Sequence, residues 1–128
     1  CVCLIGELGV GKTVFARALI RARAGKPVDV PSPTFSLVEP YDFDTPLFHV
    51  DLYRLDDPDQ AVELGLEEMF ETGIVVLEWP SRAAALLPSA RCEIVFRHLH
   101  GEARELTWTA RGEAWERRIE AFQSGLKR

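Results

Sequence analysis

Asparagine is absent from this chain, methionine occurs once, at Met69, and lysine only three times, at Lys12, Lys26 and Lys127. Without asparagine there can be no Asn-Lys-x-Asp loop, the usual device for selecting guanine. No apolar run reaches the 18 or so residues of a membrane span. A secretory leader is not expected either, because the chain opens directly on an apolar, strand-like run. It opens at Cys1 rather than at a methionine, so a native N-terminal segment is expected to precede it. Cysteine is scarce, and Cys1, Cys3 and Cys92 cannot all pair with one another. Their apolar settings suit buried free thiols in a reducing cytoplasm. Cys1 and Cys3 could instead be half of a metal site, but a second ligand pair at suitable spacing is lacking. Basic patches are scarce too: the formal charge of −5 argues against a stand-alone binder of DNA or RNA. What remains is ordinary for a globular protein, 47% hydrophobic and 27% charged, and 128 residues suit one domain, 1–128, with one core.

The most informative stretch is "GELGVGKT", residues 6 to 13. Gly6, Gly11, Lys12 and Thr13 fit the spacing of a phosphate-binding loop, with Glu7, Leu8, Gly9 and Val10 between them. The flanks support that reading. "CVCLI" before it is a continuous apolar run, suited to a strand buried on both faces. After it, Phe15, Ala18, Leu19 and Ala22 recur at helical spacing, and Gly25 and Pro27 close the helix. Glycines between a strand and a helix let successive N–H groups turn inward toward phosphate oxygens. The helix start adds unpaired N–H groups and its positive dipole end. In such a site Lys12 reaches the terminal phosphates and the Thr13 hydroxyl ligates Mg²⁺.

Downstream, residues 29 to 46 are rich in Pro, Ser, Thr and Asp and predict a long loop with a short extended piece near Phe35 to Val38. "LFHVDLYRL" predicts a strand ending near Asp51. Asp57 and Pro58 then start a helix running to about Phe70. "GIVVLEW", 73 to 79, predicts a buried strand, and Pro80 opens a short helix through Leu87. "RCEIVFRHL" and "ARELTWTA" flank His100-Gly101 and predict a hairpin. Trp115, Ile119 and Phe122 form the apolar stripe of a closing helix. Strands alternating with helices imply a three-layer α/β fold with antiparallel strands added at the edge.

Nucleotide chemistry needs an acid at a neighbouring strand end, to hold Mg²⁺ or orient the attacking group. Asp51 and Glu78 qualify, since ligands of open α/β sheets bind at the carboxyl ends of strands. Either could also be a solvated strand end. ATP is favoured over GTP by the missing asparagine. A kinase for a small metabolite would carry an arginine-bearing lid, and "RAAALLP" after Glu78 is short for one. Arg54 and Arg82 could touch phosphate or simply face solvent. His49, His98 and His100 are not spaced as a metal set, and His49 is read as a packed or hydrogen-bonded histidine at the core edge. Trp79, beside Glu78, is either core or a sensor of the site.

Taken in order, these segments resemble the TsaE family (formerly YjeE) of bacterial P-loop ATPases in tRNA threonylcarbamoyladenosine biosynthesis. The resemblance rests on "GELGVGKT", "SPTFSLVEPY" (32 to 41), "HVDLYRL" (49 to 55), "LGLEEMF" (64 to 70) and "VLEWPSRAAALLP" (76 to 88). Glu7 stands where the family usually has Asp, and Val14 where a second Thr is common. The resemblance implies a P-loop NTPase fold with a central, mostly parallel sheet. It implies slow hydrolysis of ATP with Mg²⁺ and action with the TsaB–TsaD complex, with tRNA reached through those partners. By the same resemblance Lys12 clamps phosphate, Thr13 and Glu78 hold Mg²⁺, and Asp51 serves hydrolysis. Thr34 and Trp79 would respond to nucleotide or partner, and part of the adenine-side surface would come from the segment preceding Cys1.

Overall fold

The run at the chain start forms the inner strand β1 (Val2–Ile5), and its central residues Cys3 and Leu4 are fully buried on opposite faces of the sheet. A computed structural model describes residues 1–33 and 36–126. After β1 come α1 (Lys12–Ala24), β2 (Val38–Tyr41), β3 (Leu47–Asp51), α2 (Pro58–Glu63), α3 (Leu66–Thr72) and β4 (Ile74–Glu78). A 3₁₀ segment (Pro80–Leu86), β5 (Arg91–His98), β6 (Arg104–Arg111) and α4 (Glu113–Leu126) complete the order. Among the described residues the strands form one sheet in the order β2-β3-β4-β1-β5-β6. The four inner strands run parallel, and β2 and β6 add to the edges antiparallel. This is the three-layer α/β arrangement that the alternation of elements implies.

Strand alternation divides the core. Leu4, Leu47, Val76 and Ile94 pack under Ala16 and Ile20 of α1, with Trp115 and Ile119 of α4 on the same cluster. Cys3, Val50, Val75 and Leu77 face the other way, against Ala61, Leu66 and Ala83. Each aliphatic side chain so enclosed contributes about 1.5–3 kcal/mol. All three cysteines are free thiols. Burial pushes the Cys3 thiol up to about 11, so it stays protonated and inert at neutral pH. Among the described residues no His, Cys, Asp and Glu cluster of three or more could hold a metal, and no helix is long and apolar enough to cross a membrane.

Three elements differ from the sequence reading. The edge strand begins at Val38 and runs to Tyr41, because pairing with β3 sets its register; Phe35, where the extended piece was expected to start, lies outside the described residues. Pro40 is tolerated there, since an edge strand can do without one ladder N–H. The helix expected from Pro58 to Phe70 is two helices, separated where Gly65 takes a left-handed turn (φ +80). Its start is as read: the Asp57 carboxylate accepts from the Asp59 N–H at 3.0 Å, with Pro58 in the first turn. The helix after Pro80 is 3₁₀, interrupted at Ala83.

Candidate nucleotide-binding site

The bend between β1 and α1 is shaped by its glycines. Gly9 (φ +78) and Gly11 (φ +111) hold left-handed conformations. Gly6 is required for a different reason: a Cβ there would lie 2.8 Å from the Phe96 carbonyl oxygen and 2.9 Å from Val10 Cγ1. Val10 is buried and anchors the bend, while Leu8 at its tip is exposed. Helix α1 begins with no capping side chain and no acid in its first turn. The helix itself therefore does not neutralise its positive end.

Four polar or charged residues are buried among those described, and all belong to this corner: Lys12, His49, Asp51 and Glu78. The Lys12 ammonium donates to the carbonyls of Gly6 and Glu7. It also lies 3.9 Å from the centre of the Trp79 ring, a cation–π contact. Burial holds its pKa below the usual lysine value, against the pull of Glu78 and Asp51. The Thr13 hydroxyl donates to Glu78 Oε1 at 2.9 Å. Asp51 lies beside Glu78 in the register of β3 and β4. Its Oδ1 accepts from the Tyr53 N–H at 3.0 Å. Burial raises the Asp51 pKa; the Tyr53 bond opposes the shift and the Glu78 charge adds to it.

Trp79 follows β4 directly and has a left-handed backbone (φ +61), unusual for a large side chain and worth about 1 kcal/mol of strain. Its ring packs on Tyr53 at 5.0 Å between centroids. Together these groups surround a cavity of about 210 Å³ lined by Leu8, Gly9, Gly11, Lys12, Thr13, Val14, Asp51, Tyr53, Glu78 and Trp79.

The structure therefore brings most of the sequence-derived candidates together. Gly6, Glu7 and Val10 lie on the other side of the bend, beside Phe96, Arg97 and His98. Arg54 borders a separate pocket with Leu37 and Asp56, and Arg82 is exposed. Thr34 falls outside the described residues. Besides Val14, Tyr53 and His49 were not singled out for the site from sequence. Tyr53 forms part of the wall, and His49 bonds Glu78 Oε2 through Nε2 at 2.7 Å. The signal for His49 was its place two residues before Asp51, which puts both on one face of a strand.

The donor set suits a hard cation. A hydroxyl and a carboxylate oxygen, 2.9 Å apart, stand at the foot of an uncapped helix. Mg²⁺ commonly takes one or two protein oxygens and fills the remainder with phosphate oxygens and water. Thr13 and Glu78 fit that role without a larger acidic cluster.

A glycine bend between a parallel strand and a helix, faced by strand-end acids, defines a P-loop nucleotide-binding fold. The family model for threonylcarbamoyl adenosine biosynthesis protein TsaE matches residues 1–106. The tRNA threonylcarbamoyladenosine biosynthesis protein TsaE of Rickettsia bellii is 40% identical over 106 residues, covering 80% of this chain and 72% of that one. Its counterpart in Bacillus subtilis is 37% identical over 115 residues, 88% of this chain and 71% of that one. The crystal structure of Bacillus subtilis YdiB superposes with a TM-score of 0.80 at 32% identity, covering 97% of this chain and 76% of that one. The chain belongs to the TsaE family.

Proposed function

We propose that this protein binds ATP with Mg²⁺ and hydrolyses it slowly in support of tRNA threonylcarbamoyladenosine biosynthesis, acting in the cytoplasm with the TsaB–TsaD complex. The observation that carries the reading is the convergence of Lys12, Thr13, Asp51 and Glu78 on one cavity at the uncapped start of α1. The bend's N–H groups and the helix start bind the phosphates. Lys12 exchanges its carbonyl partners for phosphate oxygens, a stronger partnership because both sides are charged. Thr13 and Glu78 hold Mg²⁺, which when bound neutralises phosphate charge. Asp51 orients the attacking water: Tyr53 fixes one carboxylate oxygen and leaves the other for that water. Trp79 and Thr34 respond to nucleotide or partner. Trp79 has the position for it, touching Lys12 and Tyr53 at once. The negative net charge suits a protein that leaves tRNA contact to its partners.

A small-metabolite kinase is the reading this one displaces. Family membership weighs against it, and so does the short segment after Glu78. Phosphate release is the test. Turnover of the isolated protein should be weak and should rise when TsaB and TsaD are added together. Rapid turnover on a metabolite, indifferent to those proteins, would overturn the proposal.

A further inference from the structure

Beneath the first turn of α1 lies a fully buried imidazole with no part in the reading above. His49 has no exposed surface. Its Nε2 is 2.7 Å from Glu78 Oε2, and the other oxygen of that carboxylate, Oε1, accepts the Thr13 hydroxyl. A carboxylate oxygen has no proton to give, so Nε2–H is the donor. Among the described residues His49 Nδ1 has no hydrogen-bond partner. A leucine here would carry no polar cost. An enclosed imidazole with one unpartnered nitrogen does carry one, and in return it provides a fixed donor to a buried carboxylate.

The strand geometry explains what that donor does. Leu47, His49 and Asp51 share the face of β3 that lies under α1. In the parallel register Asp51 stands opposite Glu78 and His49 opposite Val76, one pleat back. Glu78 is thus met by Thr13 on one side, by the like charge of Asp51 beside it, and by His49 from behind. We propose that His49 is a positioning residue for the metal site, holding the Glu78 carboxylate so that Oε1 stays on Thr13 despite the adjacent Asp51. This rests on the ATP–Mg²⁺ reading and assigns His49 no contact with nucleotide or metal.

Three variants of the whole chain test it. Gln places its amide nitrogen near the position of Nε2, Asn places it nearer Nδ1, and Leu has none. ATP binding is titrated calorimetrically in EDTA and across a Mg²⁺ series, with thermal melts to establish folding. His49→Gln should keep the wild-type Mg²⁺ dependence. His49→Asn and His49→Leu should need about 10–100-fold more Mg²⁺ while binding ATP in EDTA as the wild type does. If His49→Leu does not fold, the Gln and Asn pair decides. Equal Mg²⁺ dependence in that pair, or an equal loss of affinity in EDTA, overturns the proposal. Nitrogen-15 spectra of the nucleotide-free protein give a second readout: the Nε2–H tautomer of His49 is expected, and the Nδ1–H tautomer would overturn it. A wild type whose ATP binding ignores Mg²⁺ sinks the parent reading and this inference together. A wild type that needs Mg²⁺, with variants that do not differ from it, sinks this inference alone.

Discussion

Asp51 at the end of β3 and Glu93 within β5 are carboxylates of one sheet, and their surroundings push them in opposite directions. Burial raises the Asp51 pKa, and the hydrogen bond it accepts from the Tyr53 N–H does not offset that. Burial also pushes Glu93 upward, but bonds from Arg111 and Arg91 outweigh it and leave that carboxyl below its usual range. Those bonds are 3.0 Å from Arg111 and 3.3 Å from Arg91. The linkage signs follow. Ionised Asp51 works against folding: its contribution is favourable at pH below the ordinary 3.8 and is lost as pH rises through the elevated native value. Glu93 contributes above the ordinary 4.5 and loses that contribution as pH falls through its depressed native value. The Arg bonds around Glu93 favour its ionised form in the fold, whereas burial at the bend works against the ionised form of Asp51.

The widest contrast is expected from Asp51→Asn. Phosphate release should fall by about 10²–10³. The nucleotide-free protein should melt higher at pH 7, and that gain should vanish near pH 3, where wild-type Asp51 is protonated too. A lower melting temperature at pH 7 would break the comparison. Next comes Lys12→Ala, which should weaken ATP binding about 10–100-fold by calorimetry, the value of a charge-assisted contact. Wild-type affinity would count heavily against the assignment. Gly6→Ala sharpens the comparison, because Gly6 is where the bend touches β5. The overlap with the Phe96 carbonyl should cost about 1–3 kcal/mol in denaturant unfolding and weaken ATP binding as well. The smallest effect belongs to the hairpin. Glu93→Gln should cost on the order of 1 kcal/mol, given its partly exposed partners, lowering the melting temperature by about 3 °C at pH 7 and leaving ATP binding unchanged.

What could be read from sequence and what could not divide along the same line. The glycine bend was legible because its requirements are local: glycines where the backbone turns left-handed, an apolar strand before, a helical stripe after. Asp51 and Glu78 were legible as strand ends. The link from Thr13 through Glu78 to His49 was not, because its members are separated by 65 and 29 residues and meet only through sheet register. The division at Gly65 was missed because helical spacing continues across it. The later start of β2 was missed because edge pairing, not propensity, chooses those residues.

The amino-acid order by itself determined the α/β class, the glycine bend and the two acids that end strands, since periodicity, glycine chemistry and capping act within a few residues. Tertiary structure alone decided that Lys12 lies under Trp79, that Asp51 stands beside Glu78, and that a buried histidine backs the carboxylate facing Thr13. Those relations depend on which strands lie side by side and in what register, and the burial of two core faces across the whole sheet settles that.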